Sequence, residues 1–304
     1  MVHASVVTTT QFVVLSRRVP QTVLGRHHLG RDVHSAFVHK SLSMQDHFVE
    51  VPTATGRMET FVTHPQQNGP FPPVILYMDI WGVREELYNL ARRVGTVGYY
   101  VMVPDFYYRQ GRIRTDFRDS QGRAISLDRL DEEAQQRALA PQKRLSDAMV
   151  MEDTGAILNF LSQDKNADAR SVGAIGYCMG GRHVLQAAAR YPERFKASAS
   201  LHGTSLISER SDSPHLFVIK LQGEVYCGFA EYDAYAPLSM VDELARLMKQ
   251  SSVRYRYEIH RGARHGYALP DRDIHERWAA ERDWELIFAM LHRQIPPYAA
   301  DVAH

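Results

Sequence analysis

The stretch Gly176-Tyr-Cys-Met-Gly180 constrains the fold of this chain more than any other segment. Residues 171–175 before it are typical of a short buried strand, and residues 181–190 after it have a helical pattern that Tyr191-Pro192 ends. A residue on so sharp a turn has strained backbone angles, and glycines on either side let neighbouring backbone approach without a Cβ clash. The segment predicts a strand–turn–helix unit that presents the Cys178 thiol at the mouth of a sheet.

The thiol at this turn has two interpretations. A free cysteine packs most often as a small buried hydrophobe. Here a strand, two flanking glycines and a following helix coincide, which is the context that the cysteine form of the G-x-S-x-G nucleophile motif requires. We therefore interpret Cys178 as a nucleophile.

Strands and helices alternate along the chain from residue 46 onward. Near-continuous apolar runs at 73–78 and 99–103 are typical of central strands buried on both faces, and a helical pattern at 86–94 joins them. The other predicted elements are strands at 48–51, 58–62, 196–201, 216–221 and 254–259, and helices at 145–162, 241–250 and 273–293. This alternation predicts an α/β fold with a mostly parallel central sheet and helices on both faces.

The chain divides at about residue 44. The first 31 residues contain no Asp or Glu but four arginines, Arg17, Arg18, Arg26 and Arg31. We expect residues 1–43 to be an N-terminal extension: a disordered tail, a targeting segment, or the result of an upstream start with the natural first residue at Met44. Residues 44–298 then form a single domain. Within it, the charged segment 107–141 is an insertion, either a lid or a plain solvated excursion.

The charge balance and the cysteine count limit the classes of function. Lys and Arg number 36 against 35 Asp and Glu, so no charge excess favours nucleic acid or an anionic membrane as a partner. Two cysteines, Cys178 and Cys227, are too few for a disulfide framework and indicate a reducing, cytoplasmic location. No apolar run reaches membrane-spanning length. We find no metal-ligand cluster, phosphate loop or dinucleotide motif, and expect no cofactor or metal and a small-molecule substrate.

A nucleophilic cysteine needs a base, since an ordinary thiol is only a few per cent ionised at neutral pH. In enzymes with this motif the acid and the histidine follow the nucleophile in the chain. His265 is the best candidate because it comes directly after the last predicted strand in a loop bracketed by glycines. The other downstream histidines are weaker candidates: His202, His215, His260, His275 and His292.

Asp233 is the best candidate for the acid. It follows a strand-like segment and precedes a helix, whereas Asp242 falls inside the helical pattern and Glu231 is less well placed. Most loop aspartates cap turns or helices, so the choice depends on order and position.

With these residues in place, the chain resembles the dienelactone hydrolase family of cysteine α/β-hydrolases from about residue 46 to 295. The motifs that carry the resemblance are Met78-Asp-Ile-Trp-Gly82, Gly98-Tyr-Tyr, Pro104-Asp-Phe-Tyr-Tyr-Arg109, Gly176-Tyr-Cys-Met-Gly-Gly181, Ala230-Glu-Tyr-Asp-Ala-Tyr-Ala-Pro237 and Gly262-Ala-Arg-His-Gly-Tyr267. The resemblance implies a triad of Cys178, Asp233 and His265 that cleaves a small ester or lactone through a thioester. It also implies an oxyanion hole formed by the backbone N–H groups of Met179 and Ile80.

Two positions depart from the family pattern. Asp79 stands where the family usually has a Glu that takes part in managing the thiol's proton, and we expect Asp79 to take that role. Of two arginines that bind the carboxylate of dienelactone, one has a counterpart, Arg109, and the other position is Leu269. Losing one charge-assisted contact costs about 1.5–3 kcal/mol, so we expect a substrate less acidic or more apolar than dienelactone. The other residues expected to contact substrate are Trp81, Tyr267 and His202.

The sequence leaves two other functions open. The same triad supports acyl transfer, and the chain could also be a non-catalytic binding protein with a redox-sensitive thiol. The presence of all three triad members in order favours the hydrolase. We expect a monomer or a homodimer.

Overall fold

The computed structural model describes residues 43–113 and 117–298, so most of the predicted N-terminal extension lies outside the described residues. Within them the chain forms eight strands and six α-helices, and it has no helix long and apolar enough to cross a membrane. The elements are β1 (Met44–Thr53), β2 (Gly56–Pro65), β3 (Pro73–Tyr77), α1 (Glu85–Gly95), β4 (Tyr100–Pro104), α2 (Glu132–Lys143), α3 (Asp147–Gln163), β5 (Val172–Tyr177), α4 (Met179–Arg190), β6 (Phe195–Leu201), β7 (Glu224–Tyr232), α5 (Leu238–Met248), β8 (Arg254–Arg264) and α6 (Arg277–Gln294).

The eight strands form one sheet in the order β1-β2-β4-β3-β5-β6-β7-β8. β1 and β2 pair as an antiparallel hairpin, β2 pairs antiparallel with β4, and the six strands from β4 to β8 are parallel. Every residue of β3, β4 and β5 is buried, as expected for strands with helices on both faces. The predicted α/β fold class is confirmed.

One predicted strand is wrong. Residues 216–221 are not extended; most of them belong to a 3-10 helix, Pro214–Lys220, in which Leu216 and Ile219 are exposed. The strand next to β6 is β7, which begins at Glu224. A short apolar run has no periodicity that distinguishes a strand from a helix, and the fixed φ of Pro214 suits the first turn of a helix.

The carboxyl ends of the parallel strands bring the candidate residues to one edge of the sheet. Cys178 directly follows β5, Asp233 directly follows β7, His265 directly follows β8, and Ile80 lies three residues beyond β3. In open α/β sheets ligands bind at this edge. The topology alone therefore gathers residues that are up to 185 positions apart in the chain, from Ile80 to His265.

The insertion between β4 and α3 covers this edge. Its residue Ala124 accepts a backbone bond from Asp273 and donates one to Asp271, at 3.0 and 2.8 Å. The side chain of Ser126 donates to Asp273 at 2.5 Å. These bonds fasten residues 124–126 to the loop that follows His265, and residues 126–128 line the cavity at this edge.

Candidate active site

Cys178 occupies the sharp turn between β5 and α4. Its φ of 56° and ψ of −117° lie in a region that non-glycine residues rarely adopt, which is strain typical of functional sites. A Cβ on Gly176 would lie 2.2 Å from the carbonyl oxygen of Gly180, and a Cβ on Gly180 would lie 2.4 Å from that of Tyr77. The two glycines are therefore required by close backbone approach, for the reason that the sequence predicts.

Asp233, His265 and Cys178 come together at the end of the sheet. Oδ2 of Asp233 lies 2.7 Å from Nδ1 of His265, and its Oδ1 accepts the backbone N–H of Tyr235 at 2.8 Å. The Asp233 carboxylate is fully buried, so its orientation is fixed by these two bonds. The sulfur of Cys178 lies beside the same imidazole, close enough to change its ionisation.

The charges in this group favour a protonated histidine. Burial lowers the pKa of His265, but the negative charge of the Cys178 sulfur and the bond to Asp233 outweigh burial and raise it to about 10. The ring of His202 packs edge-on against His265, with 5.0 Å between centroids. Burial, together with the charge of His265, holds the pKa of His202 well below its ordinary value, so His202 is neutral. His265 is therefore protonated at neutral pH, with the Asp233 carboxylate behind it.

The residues of the predicted oxyanion donors lie in the same cavity wall as Cys178. Met179 is the first residue of α4, where the backbone N–H has no intrahelical acceptor. Ile80 lies just beyond β3, and the tight packing of Gly180 on the carbonyl groups of Tyr77 and Met78 brings the start of α4 against this loop. Both residues line the cavity in front of Cys178.

The cavity has a volume of about 710 Å³, a size that holds a small organic substrate. Nine residues that the sequence analysis assigns to the site line it: Asp79, Ile80, Trp81, Cys178, Met179, His202, Asp233, His265 and Leu269. In the part of the chain that the structure describes, no group of three or more His, Cys, Asp or Glu residues is arranged to hold a metal ion.

Two residues expected to contact substrate lie elsewhere. Arg109 is not in the cavity wall, because both terminal nitrogens of its guanidinium donate to the buried carboxylate of Asp153, at 2.7 and 2.9 Å. Tyr267 is fully buried behind His202, and its hydroxyl donates to Asp283 at 2.6 Å. The expectation that these two side chains bind substrate is corrected: each is occupied by an internal carboxylate.

Asp79 lines the cavity but is bound to a different partner than expected. Its Oδ1 accepts from Nη1 of Arg84 at 2.8 Å and from the backbone N–H of Trp81 at 3.1 Å, and its Oδ2 accepts from Nη2 of Arg84 at 3.1 Å. The structure thus pairs Asp79 with Arg84, and its expected role as partner of the thiol's proton stays a prediction. No sequence signal marks Arg84, because its second partner, Asp271, is 187 residues away.

Arg272 is a cavity residue that the sequence analysis missed. It is 5% exposed, its guanidinium lies 4.4 Å from the centre of the Trp81 ring, and it donates to the carbonyl oxygen of Ile125 at 2.6 Å. Among the described residues no carboxylate forms a salt bridge with it, and burial lowers its pKa. The family pattern places an arginine four residues after the histidine, where this chain has Leu269. The guanidinium in the cavity wall belongs instead to Arg272, three residues after Leu269.

The parallel sheet, the strained backbone of Cys178 between β5 and α4, and the paired Asp233 and His265 after β7 and β8 define the class: this is an α/β-hydrolase. The model of the dienelactone hydrolase family matches residues 58–295, and the chain belongs to that family. It is a hydrolase.

Known relatives and structures agree with this family. A Methylorubrum extorquens protein named "Putative carboxymethylenebutenolidase" is 24% identical over 241 residues, covering 78% of this chain and 77% of that protein. A Bradyrhizobium protein named "Probable 2-oxo-3-(5-oxofuran-2-ylidene)propanoate lactonase" is 24% identical over 251 residues, covering 81% and 94%. A crystal structure described as a "Putative Dienelactone Hydrolase" from Klebsiella pneumoniae superposes with a TM-score of 0.71 at 21% identity, covering 82% of this chain and 99% of that one.

Proposed function

We propose that this hydrolase cleaves a small ester or lactone through a thioester on Cys178. The observation that carries the proposal is the arrangement of Asp233, His265 and Cys178. Asp233 and His265 are 2.7 Å apart, and all three residues line the cavity. In such a site the thiolate serves as the nucleophile, and the neighbouring imidazolium serves as the acid that protonates the leaving group. The names of two relatives, a carboxymethylenebutenolidase and a lactonase, support this substrate class.

In the first half of the reaction, Sγ of Cys178 attacks the carbonyl carbon and the carbonyl oxygen becomes an oxyanion. The backbone N–H groups of Met179 and Ile80 stabilise that charge as it develops. The intermediate then re-forms the C=O bond and breaks the bond to the alcohol oxygen. The departing alkoxide takes the proton of His265, which leaves a thioester and a neutral imidazole.

In the second half, His265 takes a proton from water while the water oxygen attacks the thioester carbon. Collapse of the second intermediate expels Sγ as thiolate and releases the carboxylic acid. His265 is again an imidazolium, oriented by Asp233, so the starting charges are restored.

Intact mass spectrometry after exposure to p-nitrophenyl acetate tests this route. The unaltered protein is expected to gain one acetyl group and to turn the ester over, and Cys178→Ala is expected to lose both. His265→Ala is expected to lose turnover. Transfer of the acetyl group to an added alcohol instead of water would indicate an acyltransferase, and no adduct and no turnover with any ester or lactone would favour a binding protein.

The charge of the cavity bears on the choice of substrate. The absence of a second arginine at Leu269 predicted a substrate less acidic than dienelactone. Arg272 alters that expectation. Among the described residues it forms no salt bridge, and burial lowers its pKa even though the carboxylates of Asp79, Asp271 and Asp273 attract it, so a further negative group on a ligand would compensate this buried cation. We therefore favour an ester or lactone that bears an acidic group able to reach Arg272.

A pair of arginine variants tests the acidic group. One charge-assisted bond of about 1.5–3 kcal/mol predicts that kcat/KM for a carboxylate-bearing ester exceeds that for its methyl-capped analogue by roughly ten- to a hundredfold. Arg272→Met should abolish the difference and the matched control Arg109→Met, outside the cavity, should keep it. Equal turnover of the two esters by the unaltered protein would contradict this preference.

A further inference from the structure

His202 is a histidine of the cavity wall whose ring has no polar partner. It directly follows β6, its side chain is fully buried, and it lines the same cavity as Cys178. Among the described residues, no other residue forms a hydrogen bond with its Nδ1 or its Nε2. Most buried side-chain nitrogens in folded proteins have a partner, so a buried ring with two unpartnered nitrogens in a cavity wall indicates a ligand-binding group.

The backbone holds this ring in place at a cost in strain. His202 has a φ of 37°, a value that non-glycine residues rarely adopt. Its backbone N–H donates to the carbonyl oxygen of Gly228 at 2.8 Å, and its ring packs against Tyr177 and Tyr267, with 6.0 and 5.4 Å between centroids. Such strain persists only where the surroundings fix the residue, and it is concentrated at functional sites.

The ring of His202 lies beside the ring that activates water in the proposed reaction. Nδ1 of His265 is bound to Asp233, so Nε2 is the nitrogen of His265 that is left to take a proton from water. The centroids of the two imidazoles are 5.0 Å apart, with an angle of 75° between the rings. Two hydrogen bonds of about 2.8 Å each let one water molecule bridge groups up to about 5.6 Å apart. The two rings lie within that span.

The attack of water on a thioester requires an acceptor at this place. One proton of the water passes to His265, and a lone pair of its oxygen must face the carbonyl carbon. A neutral imidazole can accept the second O–H and leave that lone pair free, whereas an imidazolium can only donate. Burial, together with the charges of His265 and Arg272, lowers the pKa of His202, so its ring is neutral and has an acceptor nitrogen.

We propose that His202 is a positioning residue that orients the water molecule which hydrolyses the thioester. The inference rests on the proposed function, in which the acyl group is bound to Sγ of Cys178. The O–H that His202 accepts is not transferred; the other proton moves to Nε2 of His265 as the C–O bond forms, and the C–S bond breaks when the intermediate collapses. An alcohol has one O–H, which His265 takes, so His202 also favours water over an alcohol.

The loss of the acetyl group from acetylated protein tests this step by itself. Each variant is acetylated with p-nitrophenyl acetate and freed of ester, and intact mass is followed over time. His202→Phe keeps a ring and removes both nitrogens, so acylation should stay within about threefold while deacylation falls roughly ten- to a hundredfold, the effect of a misplaced reactant. A merely structural role would slow both steps, because His265 acts in both.

His64→Phe is the matched control. His64 is also a buried histidine, and its Nε2 has no partner among the described residues, but it lies on β2 and is not part of the cavity wall. The same substitution at this position should change neither acylation nor deacylation. Circular dichroism establishes that each variant is folded.

Chemical rescue provides the decisive comparison. His202→Gly accepts a positive φ without strain and leaves the space of one imidazole ring, so it remains informative if His202→Phe does not fold. Added imidazole should restore its deacylation and should leave His202→Phe unchanged, since the phenyl ring fills that space. Equal acceleration of both variants would mean that imidazole attacks the thioester as a nucleophile, and it would overturn the inference.

A second readout is the choice between water and an alcohol. With ethanol present, His202→Phe should form more ethyl acetate relative to acetate than the unaltered protein does. An unchanged ratio would contradict the orientation of water by His202.

The outcomes separate this inference from the proposed function. If the unaltered protein and His202→Phe lose the acetyl group at equal rates, the inference fails and the thioester route stands. If no acetyl group is found on Cys178 of the unaltered protein at any time of reaction, the proposed function itself fails.

Discussion

Replacement of Gly180 by alanine should damage catalysis more than folding. A Cβ at this position would lie 2.4 Å from the carbonyl oxygen of Tyr77 and 2.6 Å from that of Met78. Both neighbours are backbone atoms of the central strand β3 and the residue after it, so they cannot rotate away as a side chain would. The added carbon can be accommodated only if the start of α4 retreats from β3.

The size of that retreat follows from the contact distances. Ordinary van der Waals contact begins at about 3.4 Å, so the helix start must move by roughly 1 Å from the loop that carries Ile80. The same movement separates the N–H groups of Met179 and Ile80. A misplacement of about 1 Å costs on the order of a hundredfold in rate, and overpacking of a tight core costs about 1–3 kcal/mol of stability.

The assay compares kcat for p-nitrophenyl acetate with urea unfolding of the same preparations. Gly180→Ala should lower kcat about a hundredfold and the free energy of unfolding by about 1–3 kcal/mol. Gly122→Ala is the matched control, since its Cβ would meet nothing within 4 Å and only its φ of 76° is unfavourable. It should cost about 1 kcal/mol and leave kcat unchanged. A folded Gly180→Ala with kcat within about threefold of the unaltered protein would refute the close-approach argument.

Three further predictions test the placement of single residues. The ring of His265 should titrate by NMR with a midpoint near the raised pKa of about 10; because the folded value exceeds the ordinary 6.5, its protonation stabilises the fold fully below pH 6.5, and that contribution disappears as the pH rises toward 10. A midpoint at 6.5 would contradict the ion pair. Arg109→Gln should cost about 3 kcal/mol in urea unfolding, since it leaves the buried carboxylate of Asp153 without its cation, and the folded variant should keep its KM; a raised KM would restore Arg109 to substrate binding. Tyr267→Phe should cost about 1–3 kcal/mol by removing one donor from the fully buried Asp283, with kcat/KM for the same ester unchanged as the check.

Much of the fold could be predicted from local patterns. The central strands β3, β4 and β5 are buried throughout, and their near-continuous apolar runs already indicate this. The error at 216–221 arose because a short apolar run was the only signal there. Such a run does not distinguish a strand from the 3-10 helix that these residues form. The last strand also extends to Arg264, beyond the predicted 259, which leaves His265 directly at its end.

Within the site, the predictions that depended on chain order agree with the geometry. The acid and histidine chosen by their positions after strands lie 2.7 Å apart. Among the positions matched singly to the family pattern, Arg109 is paired with Asp153 instead of lining the cavity, and Leu269 gave no hint of Arg272. The position of a residue along the chain determines which strand end it follows. It does not determine which charged side chain forms an ion pair with it at that edge of the sheet.

By itself the sequence determined the parallel sheet, the turn that carries Cys178 and the placement of Cys178, Asp233 and His265 at one edge, because each depends on backbone rules that act over a few residues or on strand ends that share an edge. Only the tertiary structure decided the electrostatics of the site. Asp79 forms an ion pair with Arg84, and Arg84 forms a second one with Asp271, so these contacts join the loops after β3 and β8. Arg272 forms no salt bridge among the described residues, and burial lowers its pKa. Charges interact through space and not along the chain, so the ionisation of His265 depends on which loops the fold brings together.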